Sequence, residues 1–149
     1  MLQETIQYKI KTADFNNVFT HLVKCNDNFI PKLTDKVDIA AYSKKIAENS
    51  VTFEAWLKDE LIGLIAAYFN DSKNHVGFIT NVSTVKEYSG KGIASQLMDR
   101  CIAYGIEKQF SEIMLEVFHK NSSAVELYKK FHFKQTAVKD DLIIMKKYL

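Results

Sequence analysis

Residues 89–95 read Ser-Gly-Lys-Gly-Ile-Ala-Ser, and an amphipathic run opens directly behind them. The chain has five glycines, and two of them flank Lys91 here. Glycine takes backbone angles that side chains forbid and lets a ligand approach the main chain closely. A helix starting at such a turn leaves unpaired N–H groups and the positive end of its dipole facing outward. Together they suit an anion, above all a phosphate, and Lys91 adds a charge. A plain helix-start turn with nothing bound fits the same residues. Two phosphate patterns can be tested. A P-loop needs its lysine after the second glycine, and here it stands between the two. The dinucleotide fingerprint is met in part: Ser95 stands at the third glycine, and Glu116 supplies an acidic residue on the next strand. A cradle for some other phosphate-bearing ligand is the third reading.

The elements around the turn decide between these readings. Phe15, Val18, Phe19, Leu22 and Val23 make a helical stripe over 13–25. Pro31 marks a loop, and a polar second helix follows, with Thr34 or Asp35 as N-cap and Asn49 as its stop. Then the period changes to two. Val51, Phe53, Ala55 and Leu57 share one strand face, Asp59-Glu60 turns the chain, and 61–69 and 75–85 continue an antiparallel meander. A helix from Gly92 to about Lys108 points Ile93, Leu97, Cys101 and Ile102 inward. A strand at 112–118, a short helix at 122–131 and a last strand from Asp141 complete the chain. Strand, glycine turn, helix and strand form one crossover, so its two strands are parallel and the connection right-handed. The expected fold is α/β with a mixed sheet. A dinucleotide site needs a second crossover half, which the meander replaces.

Bulk properties narrow the function classes. The length of 149 residues suits one domain, residues 1–149. A net charge of +2, from 20 basic and 18 acidic residues, argues against a nucleic-acid partner. The longest apolar run, Leu61–Phe69, is too short for a membrane span, and the N-terminal stretch carries charges where a signal peptide needs an apolar core. A cytoplasmic protein is expected, acting as a monomer or homodimer. Cys25 and Cys101 read as reduced, half-buried thiols. His21, His75, His119 and His132 have no metal-ligand spacing, so no metal is expected.

Two stretches, 82–98 and 113–133, resemble the GCN5-related N-acetyltransferase (GNAT) family. The family's pyrophosphate loop, Arg/Gln-x-x-Gly-x-Gly/Ala, is similar to Ser89-Gly90-Lys91-Gly92-Ile93-Ala94. Its later signature, Asn-x-x-Ala-x-x-Leu-Tyr ending in Gly-Phe, is matched by Asn121, Ala124, Leu127, Tyr128 and Phe133. Ser89 replaces the first loop residue, and His132 replaces the glycine; histidine tolerates a left-handed backbone better than most side chains. The resemblance implies a sheet of six to seven mostly antiparallel strands with about four helices and splayed central parallel strands. It implies acetyl-CoA as donor. The amides of Gly90, Lys91, Gly92, Ile93, Ala94 and Ser95 would hold the pyrophosphate, beside Asn121. Main-chain groups near Thr84 and Val85 would meet the pantetheine arm, and one strand N–H would polarise the thioester carbonyl.

The resemblance also assigns chemistry. Amine acetylation needs a base for the ammonium and an acid for the departing thiolate. Tyr128 matches the family position assigned to thiolate protonation; without the family it reads as a packed helix aromatic. Glu116 faces away from Ile113, Leu115 and Val117 and stands 12 positions before Tyr128. That spacing resembles the acetyltransferases of ribosomal-protein N-termini, where the glutamate serves as base; an ion-paired strand glutamate is the plain alternative. Glu54 is the second base candidate, or an exposed strand carboxylate. Phe29, Tyr42, Tyr68 and Asn70 are possible acceptor lining, with Phe69-Asn70-Asp71 closing a small pocket. The implied reaction is acetyl transfer to a primary amine of a small molecule such as an amino sugar, amino acid derivative or polyamine. A peptide N-terminus and a non-catalytic acyl-CoA-binding module are the alternatives.

Overall fold

In a computed structural model the described residues are 5–149; the first four residues of the charged N-terminal stretch lie outside them. The chain runs β1 (Gln7–Ile10), α1 (Phe15–Cys25), α2 (Ile39–Asn49), β2 (Val51–Leu57), β3 (Glu60–Tyr68), β4 (Val76–Thr84), α3 (Ile93–Glu107), β5 (Glu112–Phe118), α4 (Ser122–Lys130), β6 (Lys134–Lys139) and β7 (Leu142–Tyr148). One-turn 3-10 segments at 26–28, 33–35 and 86–88 link them. The strands form one sheet in the order β1-β2-β3-β4-β5-β7-β6. Among the described residues only the β4–β5 pair is parallel. The expected mixed α/β sheet with four helices and a single crossover is what the chain adopts.

Both faces of the sheet are covered. Phe53, Ile65, Leu97, Met98, Ile113 and Leu115 belong to a core on the α3 and α4 side. Val18, Leu22, Ile46, Leu64 and Ala66 form a smaller core under α1 and α2. Burial of both faces of β2 is why its polar side chains Thr52 and Glu54 are also buried. The same packing turns α1: Val18, His21, Leu22 and Cys25 face inward, while Phe15 and Val23 of the expected stripe are exposed.

Some boundaries differ from the sequence reading. α2 starts at Asp38, whose carboxylate accepts the Ala41 amide at 3.0 Å, because Leu33–Asp35 already closes its own short turn. Lys58-Asp59, one residue earlier than expected, turns β2 into β3, since Leu57 pairs with Glu60. The seven strands meet the implied six to seven, and β1 and β6 are the two that the periodicity did not place. Both are edge strands: β6 is exposed at every residue and has no apolar face, and β1, although Tyr8 and Ile10 alternate with Gln7 and Lys9, is only four residues long. Cys25 and Cys101 are free, as expected, but fully rather than half buried.

Three local features prepare a site. First, β4 and β5 pair only from Val76–Glu112 to Ile79–Leu115, and beyond that the two strands part. Second, Thr80 is the extra residue of a bulge, because Ala67 pairs with Ile79 but Ala66 pairs with Asn81. Third, α4 ends in a left-handed residue. His132 has φ of +69° and its amide donates to the Lys129 carbonyl at 2.9 Å. The Phe133 amide donates to the Tyr128 carbonyl at 3.0 Å. This pair of bonds is the Schellman arrangement, and its accompanying apolar contact is the Tyr128–Phe133 ring pair at 6.0 Å. A Cβ at a left-handed position costs roughly 1–2 kcal/mol, less for histidine than for most residues. His132→Gly is therefore expected to raise the melting temperature by about 2–4 °C, the response of a chain this size to about 1 kcal/mol. Calorimetry on both proteins checks it; an unchanged or lower Tm would mean the histidine makes up the strain elsewhere.

Candidate active site

The glycine turn sits where β4 has ended and α3 begins. Gly90 and Gly92 have φ of +77° and +79°, and a Cβ on either would meet no atom within 4 Å. Conformation, not crowding, demands glycine there. Gly92 is the N-cap of α3, has no side-chain cap bond, and the first turn holds no acidic residue. Nothing in the helix itself therefore neutralises its positive end. The start of α3 is set close to the sheet by Gly63 of β3: a Cβ there would come within 2.6 Å of Ile93 Cγ2, an atom of a buried side chain.

A cavity of about 520 Å³ opens at this turn, lined by Ser89, Gly90, Gly92, Ile93, Ala94 and Ser95. It continues along β4 past Thr84, Ser83 and Val82 to Asn121, Leu127 and Tyr128. Lys91 is exposed and does not line it. The Val85 amide donates to the Ile62 carbonyl at 2.8 Å, and the Val85 carbonyl accepts the Tyr88 amide at 2.9 Å. Val85 is thus tied to the structure on both main-chain groups and is not a pantetheine partner. Successive strand residues direct their main-chain groups to opposite edges. With Val85 turned toward β3, Thr84 and Val82 turn toward the gap left by β5. That direction depends on register, which the sequence does not display.

A second cavity of about 230 Å³ lies on the other side of Tyr128, under the connection between α1 and α2. Glu116 of β5 lines it, together with Phe29, Tyr42, Phe78, Thr80 and Phe118. Phe29, Val82, Asn121 and Tyr128 line both cavities, so the two meet at these residues. Tyr128 is buried, and burial pushes its phenol well above the ordinary range, so it carries its proton at neutral pH. Its hydroxyl has no hydrogen-bond partner among the described residues. Asn121 caps α4 through the Ala124 amide at 3.4 Å. The Tyr42 hydroxyl donates to the Thr80 carbonyl at 2.7 Å and lies 2.9 Å from the Thr80 hydroxyl, pinning the bulge residue where β4 leaves β5. Of the expected acceptor lining, Phe29 and Tyr42 are present and Tyr68 and Asn70 are not. Asn70 donates to the Asn49 carbonyl at 2.9 Å, and the Phe69 ring packs on Tyr104 and Phe110.

Two further buried groups stand near the first cavity. His21 on α1 is 2.9 Å from the Leu61 carbonyl through Nδ1, so Nδ1 carries the proton and Nε2 faces Ser83 Oγ at 2.8 Å. Burial lowers its pKa to about 4, against the opposing bond to Leu61. Cys25 Sγ, which lines the cavity, is 3.7 Å from Nε2, and burial pushes its thiol up to about 12. Both shifts oppose an ionised pair, so Cys25 and His21 make a poor nucleophile.

Glu54 lies in neither cavity. It is fully buried rather than exposed, and its carboxylate accepts bonds from the Thr12 amide and hydroxyl, the Ala13 amide, the Thr52 hydroxyl and Trp56 Nε1. Burial alone would raise its pKa, but these donors outweigh it and hold the carboxyl below its usual range. Glu54 ties the segment before α1 to β2.

Residues 15–133 match the acetyltransferase (GNAT) family. Streptothricin acetyltransferase A of Bacillus subtilis (strain 168) is 31% identical over 86 residues, 58% of this chain and 49% of that protein. N-alpha-acetyltransferase MAK3 of Arabidopsis thaliana is 33% identical over 82 residues, 54% of this chain and 43% of that protein. The chain thus matches under half the length of either relative. The PaiA N-acetyltransferase of Thermoplasma acidophilum, solved with coenzyme A, shares the fold with a TM-score of 0.75 at 16% identity, over 96% of this chain and 99% of that one.

The Glu54 geometry gives a test with a definite sign. A carboxyl with a depressed folded pKa contributes stability above its unfolded pKa, and that stability is lost as pH falls through the folded value. Glu54→Gln should cost about 2–4 kcal/mol at pH 7, since an amide cannot accept all these donors. The gap to the wild type should narrow as pH drops below the ordinary glutamate range near 4.3. Denaturant titrations between pH 7 and 3 measure it; a gap constant over that range would mean the carboxylate charge contributes nothing.

Proposed function

Since this chain belongs to the GNAT acetyltransferase family, we propose that it transfers the acetyl group of acetyl-CoA to the primary amine of a small molecule by direct attack. The observation that carries this reading is the meeting of two cavities at Tyr128, one opening on an anion-ready helix start and the other holding an exposed carboxylate. The fit to the donor is physical. The amides opening α3 would receive the pyrophosphate, and the main-chain groups of Thr84 and Val82 would receive the pantetheine amides. Acetyl-CoA supplies an activated acyl thioester. The protein supplies its alignment with the amine, a base and an acid.

Glu116 is the proposed base. A primary amine has a pKa near 10.4 when resembling lysine, so it arrives as ammonium and must lose a proton before it can attack. Glu116 lines the acceptor cavity, and Glu54 does not. Tyr128 is the proposed acid, because a phenol held protonated by burial at the junction can give its proton to the departing thiolate. The second cavity, about 230 Å³, favours a small acceptor over a long peptide. Two free, buried thiols accord with a reducing cytoplasmic location. Among the described residues no helix is long and apolar enough to cross a membrane.

Gly92→Val should leave the protein folded and abolish the rise in melting temperature caused by acetyl-CoA, because valine is excluded from the left-handed region. A thermal-shift titration with acetyl-CoA and with NAD reads this; a shift by NAD alone would sink the reading. Tyr128→Phe should keep acetyl-CoA binding and lower turnover on the order of 10²-fold. Glu116→Gln should lose rate steeply near pH 7 and regain part of it at high pH, where free amine is abundant. Glu54→Gln is the matched control and should show no such recovery. Pre-steady-state thiol release across pH decides among the three carboxylate and phenol roles.

A further inference from the structure

The acceptor cavity has a charge pattern that its shape alone does not require. Only two of its lining residues carry formal charge, Glu116 and Lys36. They come from different parts of the fold: Glu116 from β5, Lys36 from the connection between α1 and α2. The Lys36 main chain is fixed, its amide donating to the carbonyl of the buried Leu33 at 3.0 Å, while its side chain is exposed at the cavity rim. Its charge is not taken up nearby. The neighbouring Lys32 pairs with Asp27 at 3.6 Å, and Asp38 is occupied with capping α2, whereas Lys36 has no acidic partner among the described residues. Another cation on the Glu116 face of the sheet, Lys146, is paired with Glu112 at 3.8 Å. The rest of the lining includes Phe29, Val37, Phe78 and Phe118, and its polar members Tyr42, Thr80, Asn81 and Asn121 are already hydrogen-bonded within the protein.

We propose that the acceptor is a zwitterion of amino-acid size: a primary amine next to Glu116, a carboxylate next to Lys36, and an apolar side chain between them. This deepens the small-amine reading and rests on it. A cavity of about 230 Å³ suits a leucine- or methionine-sized molecule better than a long chain. A polyamine would set a second cation against Lys36, a like-charge contact that discriminates against it. An amino sugar would place hydroxyls against an aromatic wall, where they lose their hydrogen bonds to water.

The test compares L-leucine, L-leucinamide and spermidine as acceptors, by thiol release at matched free-amine concentration, because the amide's amine is less basic. Wild-type kcat/KM should favour leucine over leucinamide by about tenfold or more, the scale of one charge-assisted hydrogen bond, with the difference in KM rather than kcat. Lys36→Met should bring that ratio close to one, and Lys36→Glu should reverse it in favour of leucinamide. Equal use of leucine and leucinamide by the wild type overturns the proposal, as does best turnover with spermidine, or a ratio that Lys36→Met leaves unchanged. In those three cases acetyl transfer itself still stands, because thiol is released. No thiol release from any amine, while acetyl-CoA still raises the melting temperature, overturns the transferase reading and the zwitterion with it.

Discussion

The parting of β4 from β5 is the constraint on which the site depends. Parallel strands share evenly spaced bonds, and nothing in that pattern ends a pairing after four residues. Here the pairing ends at Ile79 and Leu115 because Thr80 is a bulge residue in β4, and Tyr42 satisfies the Thr80 carbonyl that the ladder gives up. A backbone acceptor left bare in that half-buried place would cost about 1–3 kcal/mol. The clamp removes the cost and so makes the gap a stable state. Everything that needs the gap follows from it: the main-chain edge of Thr84 and Val82, the cavity along it, and the place where Glu116 and Tyr128 come near each other.

Polar groups buried away from the reaction hold the frame around that gap. His21 joins α1 to β3 through Leu61 and to β4 through Ser83, whose Oγ also lies 2.8 Å from the Asn81 side-chain amide. Glu54 fixes the chain entering α1 through Thr12 and Ala13. The two ties act on opposite ends of one helix. They position α1 and the connection after it, from which Phe29 and Lys36 line the second cavity.

What the sequence disclosed and what it hid divide along a physical line. The glycine turn, the amphipathic α3 and the Asn121-to-Tyr128 stretch were legible because each is local: the residues that matter stand within one helix or one turn. Glu116 was legible as a side chain opposite an apolar strand face. Glu54 was misjudged as exposed because its donors Thr12 and Ala13 are 42 and 41 positions away, and no period reveals them. The Tyr42–Thr80 clamp spans 38 positions and was hidden for the same reason. That the Val85 main chain is turned toward β3 was hidden because the direction of a strand amide follows from pairing register. β6 was invisible because an exposed, polar edge strand leaves no hydrophobic trace.

The wall shared by the two cavities has a thermodynamic consequence. Phe29, Val82, Asn121 and Tyr128 belong to both binding surfaces at once, so a molecule in one cavity completes or reshapes the surface met by the other. Binding free energies that share a wall are linked, and linkage is reciprocal: whatever factor the donor applies to the acceptor's affinity, the acceptor applies to the donor's. With the proposed donor and acceptor in these cavities, any coupling through the wall would let the supply of one set how strongly the protein holds the other.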